Sequence, residues 1–169
     1  MNKPQLPHAG LEFDVVCIGA DGREAWRERA KNLVPIEGLN HMLGVVLHGV
    51  TPITTWFIGL FEGNATPQIT ITAATLPGLL TECTTYAEPT RVEFVEGNVA
   101  NGNTDNAANL AAFTSTADKT IYGAFVSGAS TKGATSSVIL SAFRFPSPKS
   151  FATGSKLYVQ GSPSIANPA

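Results

Sequence analysis

The chain has 169 residues, which suits one domain with a single core rather than two domains. Charged residues are only 14% of the total, which is typical of a turn-rich β-protein with little open charged surface. Eleven Lys and Arg against thirteen Asp and Glu give a formal charge of −2, and no stretch concentrates the positive charges enough to neutralise a row of phosphates. The composition therefore disfavours nucleic-acid binding.

Both ends of the chain are predicted to lie outside the domain. Residues 1–10 carry two prolines and no hydrophobic periodicity, which predicts an arm ordered only by contact with another surface. Residues 161–169 are predicted to be a C-terminal tail, so the domain spans residues 11–160. Because the start of the chain has no apolar signal core and no run approaches eighteen apolar residues, we expect a soluble intracellular product.

A hairpin is the first element expected in chain order. Residues 11–18, the turn at Asp21-Gly22 and residues 23–34 predict two antiparallel strands, although the second is rich in helix formers. Cys17 in the first strand and Cys83 further along lack CxxC spacing, so both are predicted to be reduced, buried thiols. Such thiols favour assembly in a reducing compartment.

One α-helix is predicted at about residues 35–48. Pro35 suits the first turn, Glu37 lies near the positive end of the helix dipole, and Gly49 can adopt the left-handed conformation that ends a helix. The apolar residues at helical spacing are predicted to form one stripe that faces the core: Ile36, Leu39, Leu43, Val46 and Leu47. The β-branched and aromatic run 54–61 predicts a central strand beneath this helix.

The remaining chain is predicted to be β-structure and turns. Residues 62–82 contain several Gly and Pro turn signals and predict a long excursion with one short strand at 69–72. Further strands are predicted at 92–96, 119–126, 137–145 and 156–160, with a Ser-Pro turn after 145. Apolar residues of the last three strands would line one side of a sheet: Ile121, Phe125, Val138, Leu140, Phe143, Leu157 and Val159. The predicted fold is mainly β, an antiparallel β-sandwich of jelly-roll type with one helix.

No segment combines the residues that catalysis, cofactor binding or metal binding requires. Residues 128–135 lack the Gly-Lys-Ser/Thr order of a P-loop and precede a strand, so they are interpreted as a flexible hairpin tip. His41 and His48 would lie about 10 Å apart on a helix, too far to share a metal ion. We expect solvated charges at four acidic residues near the hairpin: Asp14, Asp21, Glu24 and Glu28. No catalytic residue, cofactor-binding residue or metal ligand is therefore predicted.

Four aromatic residues could in principle stack on a sugar or a base: Trp26, Trp56, Phe57 and Tyr122. They occur in apolar runs of a β-protein, where aromatic side chains usually belong to the core. We therefore interpret them as core residues.

Several short motifs occur in an order that resembles a group of virion proteins of tailed bacteriophages. In the first half they are the hairpin with Trp26, Asn32-Leu33-Val34, Glu37-Gly38-Leu39-Asn40 and the run 55–60. In the second half they are Thr84-Thr85-Tyr86, Glu88-Pro89-Thr90-Arg91 and the runs 121–125, 131–135 and 154–159. Together they cover most of residues 11–160. One departure is the region 76–83, where the group has a more polar loop that contains Trp.

The resemblance implies a small accessory protein of the virion, a cement or decoration protein on the outer capsid shell. Its partners would be the major capsid protein and further copies of itself, as a dimer or trimer. It would be made in the host cytoplasm and would stabilise the shell by bridging capsid subunits, without enzymatic activity, nucleic-acid binding or membrane binding. The arm 1–10 and residues 63–82 are the candidate bridging surfaces. The alternatives are a tail or fibre-attachment protein and a carbohydrate-binding β-sandwich.

Overall fold

A computed structural model describes residues 8–166, which form a mainly β structure with antiparallel sheets, as predicted. The elements are β1 (His8–Ile18), β2 (Glu24–Lys31), α1 (Ile36–Leu47), β3 (Trp56–Phe61), α2 (Leu76–Leu80), β4 (Glu82–Cys83), β5 (Val92–Phe94), β6 (Ala111–Thr114), β7 (Lys119–Ser127), β8 (Ile139–Phe151) and β9 (Lys156–Ala166). The first sheet has the strand order β2-β1-β9-β6. The second has the order β4-β3-β7-β8, and β5 also pairs with β3.

The two sheets share one core of apolar side chains. Phe13 of β1 stacks on Phe143 of β8 with ring centroids 4.2 Å apart, so side chains from both sheets meet directly. A second apolar cluster lies on the other face of the second sheet, where Phe61 and Phe125 pack with Leu76 and Leu80. Strand β3 is therefore apolar on both faces because the segment after it folds back over the sheet.

The ends of the domain differ from the predicted boundaries. Strand β1 pairs with β9 along its whole length, from His8 opposite Ala166 to Ile18 opposite Lys156. Residues 8–10 and 161–166 therefore belong to strands rather than to an arm and a tail. Ladder pairing satisfies their backbone groups without hydrophobic periodicity, which is why the sequence pattern did not show it. The rest of the predicted arm and tail, residues 1–7 and 167–169, lies outside the described residues.

The last three strands were wrongly assigned to one sheet. β7 and β8 pair in the second sheet, whereas β9 lies between β1 and β6 in the first. The predicted Ser-Pro turn lies inside β8, where the pairing shifts from Ile121 opposite Lys149 to Gly123 opposite Arg144. This irregularity accommodates Pro146 and Pro148, which cannot donate to a regular ladder.

The segment between β3 and β4 also differs from its prediction. Residues 69–72 are not a strand, and the five-residue helix α2 was not predicted. Pro77 lies in the first turn of α2, where its missing N–H has no cost. Ile71, Leu76 and Leu80 are almost fully buried, because this segment covers the outer face of the second sheet.

Candidate functional site

Two segments that are far apart in the sequence, residues 82–91 and 128–135, lie side by side and are called here the loop pair. The backbone N–H of Arg91 donates to the carbonyl oxygen of Ser130 at 2.8 Å. In return, the second segment donates to the first: Nζ of Lys132 donates to the carbonyl oxygen of Tyr86 at 2.9 Å. The loop pair thus brings together two of the motifs on which the phage resemblance rests.

Arg91 lies at the centre of the loop pair and is 1% exposed. Its Nε and Nη2 donate to the two carboxylate oxygens of Glu82 at 2.9 and 2.7 Å. Its Nη1 donates at 3.1 Å to both the hydroxyl of Ser127 and the carbonyl oxygen of Ala129. The guanidinium carbon lies 5.0 Å from the ring centroid of Phe125. A buried charge with this many partners holds the two segments in one geometry.

The tip of the loop pair is anchored rather than flexible, which corrects the interpretation of residues 128–135. The backbone N–H of Gly133 donates to Glu82 at 2.7 Å, and Gly133 has a φ of +74°, a conformation that favours glycine. The ammonium of Lys132 lies 3.6 Å from the ring centroid of Tyr86. Burial lowers the pKa of Lys132, with nearby Glu88 and Glu82 acting against that change. The tip therefore has fixed contacts on both sides.

The exposed surface of the loop pair is made of small, uncharged residues: Thr84, Ala87, Pro89, Thr90, Thr131, Gly133 and Thr135. Beneath them Arg91 and Glu82 pair with each other, and Glu88 and Lys132 are half-buried and bind backbone groups. Arg91 and Glu82, with side chains 1% and 4% exposed, are inaccessible to a substrate. The arrangement can present a preformed surface for contact, and its buried Arg91–Glu82 pair is not accessible as an acid or base.

A second surface is the outer face of helix α1, whose limits match the prediction but whose orientation does not. The predicted core stripe is largely exposed: Leu43 is 58% exposed, and Val46 and Leu47 are each 76% exposed. Only Leu39 of that stripe packs against the core, together with Met42. The prediction that the stripe faces the core is therefore wrong. We call Leu43, Val46 and Leu47 the α1 ridge.

Gly38 and Glu37 explain how the helix is oriented. A Cβ on Gly38 would lie 2.7 Å from the carbonyl oxygen of Leu140 and 2.9 Å from that of Ile139, so the helix backbone touches β8 at this residue. The carboxylate of Glu37 accepts hydrogen bonds from the backbone N–H groups of Ile139 and Ala73 at 2.7 and 3.1 Å. These contacts place Gly38, and not the larger apolar side chains, against the sheet.

An apolar groove lies beside the α1 ridge. It is lined mainly by apolar side chains from both sheets, the helix and the loop before β6: Leu11, Val34, Met42, Val99, Leu140 and Ile165. A shallower depression shares Met42 and Ile165 with the groove and is also lined by Val46. The ridge and the groove are therefore continuous. Val99 and Ile165 are 75% and 60% exposed, so the groove opens to the surface.

The two histidines and four acidic residues considered in the sequence have local contacts. His41 packs edge-on against Trp56 with ring centroids 5.7 Å apart, and His48 lies at the end of α1. The acidic residues near the hairpin bind locally: Asp14 pairs with Arg29, Glu24 with Arg27 and Glu28 with Lys149, and Asp21 accepts from the backbone N–H of Arg23. Within residues 8–166, no group of three or more His, Cys, Asp or Glu is placed to hold a metal ion.

The cysteines and the aromatic residues have mainly structural positions. Cys17 and Cys83 are free and buried, as predicted. Burial raises the pKa of Cys17, which keeps its thiol protonated. Trp26 and Trp56 are partly buried against the core, and the indole N–H of Trp26 donates to the carbonyl oxygen of Ser150 at 2.7 Å.

The candidate bridging segment 63–82 is partly buried against the second sheet and partly exposed. Its backbone is tied down where Gly63 donates to the carbonyl oxygen of Leu80 at 2.7 Å. Ile69 and Leu79 are its exposed large apolar residues, at 51% and 43%. These two side chains are therefore the apolar groups that this segment could offer to a bridging contact, beside its exposed small and polar residues.

The residues that the sequence analysis missed are the α1 ridge, as an outward surface, and the Arg91–Glu82 pair. A signal for the pair was present, since Arg91 follows a Pro-Thr turn in a chain with few charges. No helix in residues 8–166 is both long enough and apolar enough to cross a membrane. No protein-family model matches this sequence, and no curated protein matches it significantly.

Proposed function

We propose that this protein is a structural component of a tailed-bacteriophage virion, a cement or decoration protein that binds the outer capsid shell and bridges neighbouring subunits. The observation that carries the proposal is the loop pair. Two motifs that resemble the phage group, at residues 88–91 and 131–135, are joined through Glu82, which accepts hydrogen bonds from Arg91 and from the backbone N–H of Gly133. A group of motifs that builds one internally bonded surface supports a structural role.

The loop pair suits a flat contact with a capsid subunit. Its most exposed residues are small and neutral, so a partner backbone can approach them closely. Its internal hydrogen bonds fix the surface before binding, which reduces the ordering cost of association. The major capsid protein is the proposed partner, and the proposed location is the capsid surface of a virion assembled in the host cytoplasm.

The fold supports the same proposal. Two antiparallel sheets with a shared core make a stiff scaffold. We propose that they form a β-sandwich of jelly-roll type. The sheets carry the loop pair, while the proposed mechanism needs no cofactor, metal ion or enzymatic step.

The exposed large apolar residues bear on the carbohydrate-binding alternative. Within the described part of the chain they are all aliphatic, whereas sugar binding uses exposed aromatic faces beside polar groups. This observation disfavours a lectin. A tail or fibre-attachment protein would use the same kind of scaffold, so the location in the particle distinguishes it from a cement protein.

The first test is the location and copy number in purified particles. A cement protein is expected in hundreds of copies, because the same contact is repeated over the closed shell. Particles depleted of the protein should release DNA at a lower temperature. We expect Thr131→Arg, at the exposed tip of the loop pair, to lower the copy number. Thr120→Arg, on an exposed position of β7, is the matched control and should leave it unchanged.

Two results would contradict the cement proposal. One is a copy number near a dozen with the protein located at the tail. The other is that depleted particles resist heat as well as intact particles but fail to attach to cells. Either result would favour the tail or fibre-attachment alternative.

A further inference from the structure

We propose that the α1 ridge and the apolar groove form a two-fold contact with a second copy of this chain. In this contact the ridge of each copy fits into the groove of the other. The inference rests on the proposed function for the expectation of an oligomer. The surface itself is argued from the described residues alone.

The ridge has the composition of a protein interface rather than of a solvated helix face. Its three side chains are 58–76% exposed, and Val50 beside them is 43% exposed. The sequence from residue 38 to residue 61 contains no Asp, Glu, Lys or Arg, so no charged side chain from this stretch interrupts the surface. Soluble monomers rarely expose a continuous apolar surface of this kind without a binding role.

The groove provides a concave surface beside the ridge on the same face of the molecule. Met42 and Ile165 line both the groove and the depression that borders Val46, so the convex and concave parts are neighbours. In a two-fold contact, if a ridge residue of one copy touches a groove residue of the other, the same two residues also meet with the copies exchanged. A surface with a ridge beside a groove can therefore satisfy both halves of such a contact.

The absence of charge on the ridge permits contact with a second copy. Two identical surfaces placed face to face would repel each other if they carried a net charge, but the ridge has only neutral side chains. The contact would bury aliphatic side chains on both sides, which is the main stabilising contribution in association. An unrelated partner would have to provide a matching ridge and groove of its own.

The test measures self-association of the full chain by analytical ultracentrifugation over a wide concentration range. The double variant Val46→Glu/Leu47→Glu places carboxylates inside both halves of the contact, and we expect the dimer Kd to rise by about a hundredfold or more. Leu110→Glu is the matched control, because Leu110 is also exposed, at 43%, but lies outside the ridge and the groove. It should leave the Kd unchanged.

A mixing experiment tests the ridge-into-groove geometry itself. Val99→Lys places a cation in the groove and should also weaken self-association. When this variant is mixed with Val46→Glu/Leu47→Glu, one half of the contact pairs opposite charges and the other half is native. We therefore expect a heterodimer that is tighter than either homodimer. Failure of the mixture to associate, while the native chain dimerises, would overturn the geometry.

Other occupants give different results. If the native chain is monomeric and removal of residues 1–7 makes it dimerise, the chain's own N-terminal segment occupies the groove and the proposal is wrong. If the free protein stays monomeric in every form but the glutamate variant is lost from particles, a capsid subunit occupies the surface instead. Particle copy number and heat resistance test the proposed function separately, so the two proposals can fail independently.

Discussion

The loop pair and the α1 ridge differ in which groups they bury. The loop pair buries charged groups, whereas the ridge exposes apolar ones. In the loop pair, Arg91 and Glu82 are buried and satisfy each other, and the exposed residues are small. On α1, a glycine faces the sheet while Val46 and Leu47 face outward. The loop pair is stabilised by contacts within the chain, whereas the ridge leaves most of its apolar surface unused in the single chain.

Because of this difference, substitutions in the two regions should affect different quantities. Changes in the loop pair should alter the free energy of unfolding, because its groups have their partners inside the fold. Changes on the ridge should alter association with much less effect on the isolated fold. The expected effects of single substitutions decrease from the loop pair, through the contact between α1 and β8, to the ridge.

The largest effect is expected for Arg91→Met, which keeps much of the side-chain volume but removes the charge. It leaves the carboxylate of Glu82 buried without its cationic partner, and removing one member of a buried pair costs about 3–5 kcal/mol. Denaturant unfolding measures the change. Arg29→Met is the control, because Arg29 pairs with Asp14 at the surface with 71% of its side chain exposed, and should cost much less than Arg91→Met. Equal losses for the two variants would contradict the structural role of the loop pair.

An intermediate effect is expected for Gly38→Ala at the contact between α1 and β8. The new methyl would lie within 3 Å of two carbonyl oxygens of β8, so the helix must shift, at a cost of about 1–3 kcal/mol. In Gly78→Ala, the methyl meets nothing within 4 Å, and the substitution should stabilise by about 0.4–1 kcal/mol. Thermal unfolding of the two variants should therefore shift in opposite directions, and a shared direction would refute the close approach at Gly38.

The strands show how far local patterns predict this fold. The mainly β class, the first hairpin, helix α1 and strand β3 follow from turn residues, periodicity and β-branched runs that each element carries in its own sequence. The pairing of β9 with β1, and of β8 with β7 around two prolines, depends on distant partners. Local periodicity contains no information about such partners, so these strands were predicted too short or in the wrong sheet.

The α1 ridge and the loop pair could not be predicted from the sequence, for two different physical reasons. The spacing of Leu39, Leu43 and Val46 describes a helix face correctly but does not say whether the face meets its own core or another molecule. The close contact at Gly38 decides this, and it exists only once β8 is in place. For the loop pair, the sequence contained Arg91 and its motif, but the nearby Glu82 and the tip at Gly133 become its partners only through folding.

The smallest effect is expected for Leu43→Ala. This substitution tests whether the helix face that carries Leu43 is buried in the core or exposed. If the stripe faced the core, the substitution would cost about 2–5 kcal/mol, but with 58% of Leu43 exposed we expect about 1 kcal/mol or less. Leu60→Ala is the reference, since Leu60 is fully buried and should show the full core loss. Denaturant unfolding should be done at a protein concentration where the chain is monomeric, since association would add stability to the native form. A loss at Leu43 as large as that at Leu60 would mean that the ridge packs against its own chain, and the two-fold contact would lose its basis.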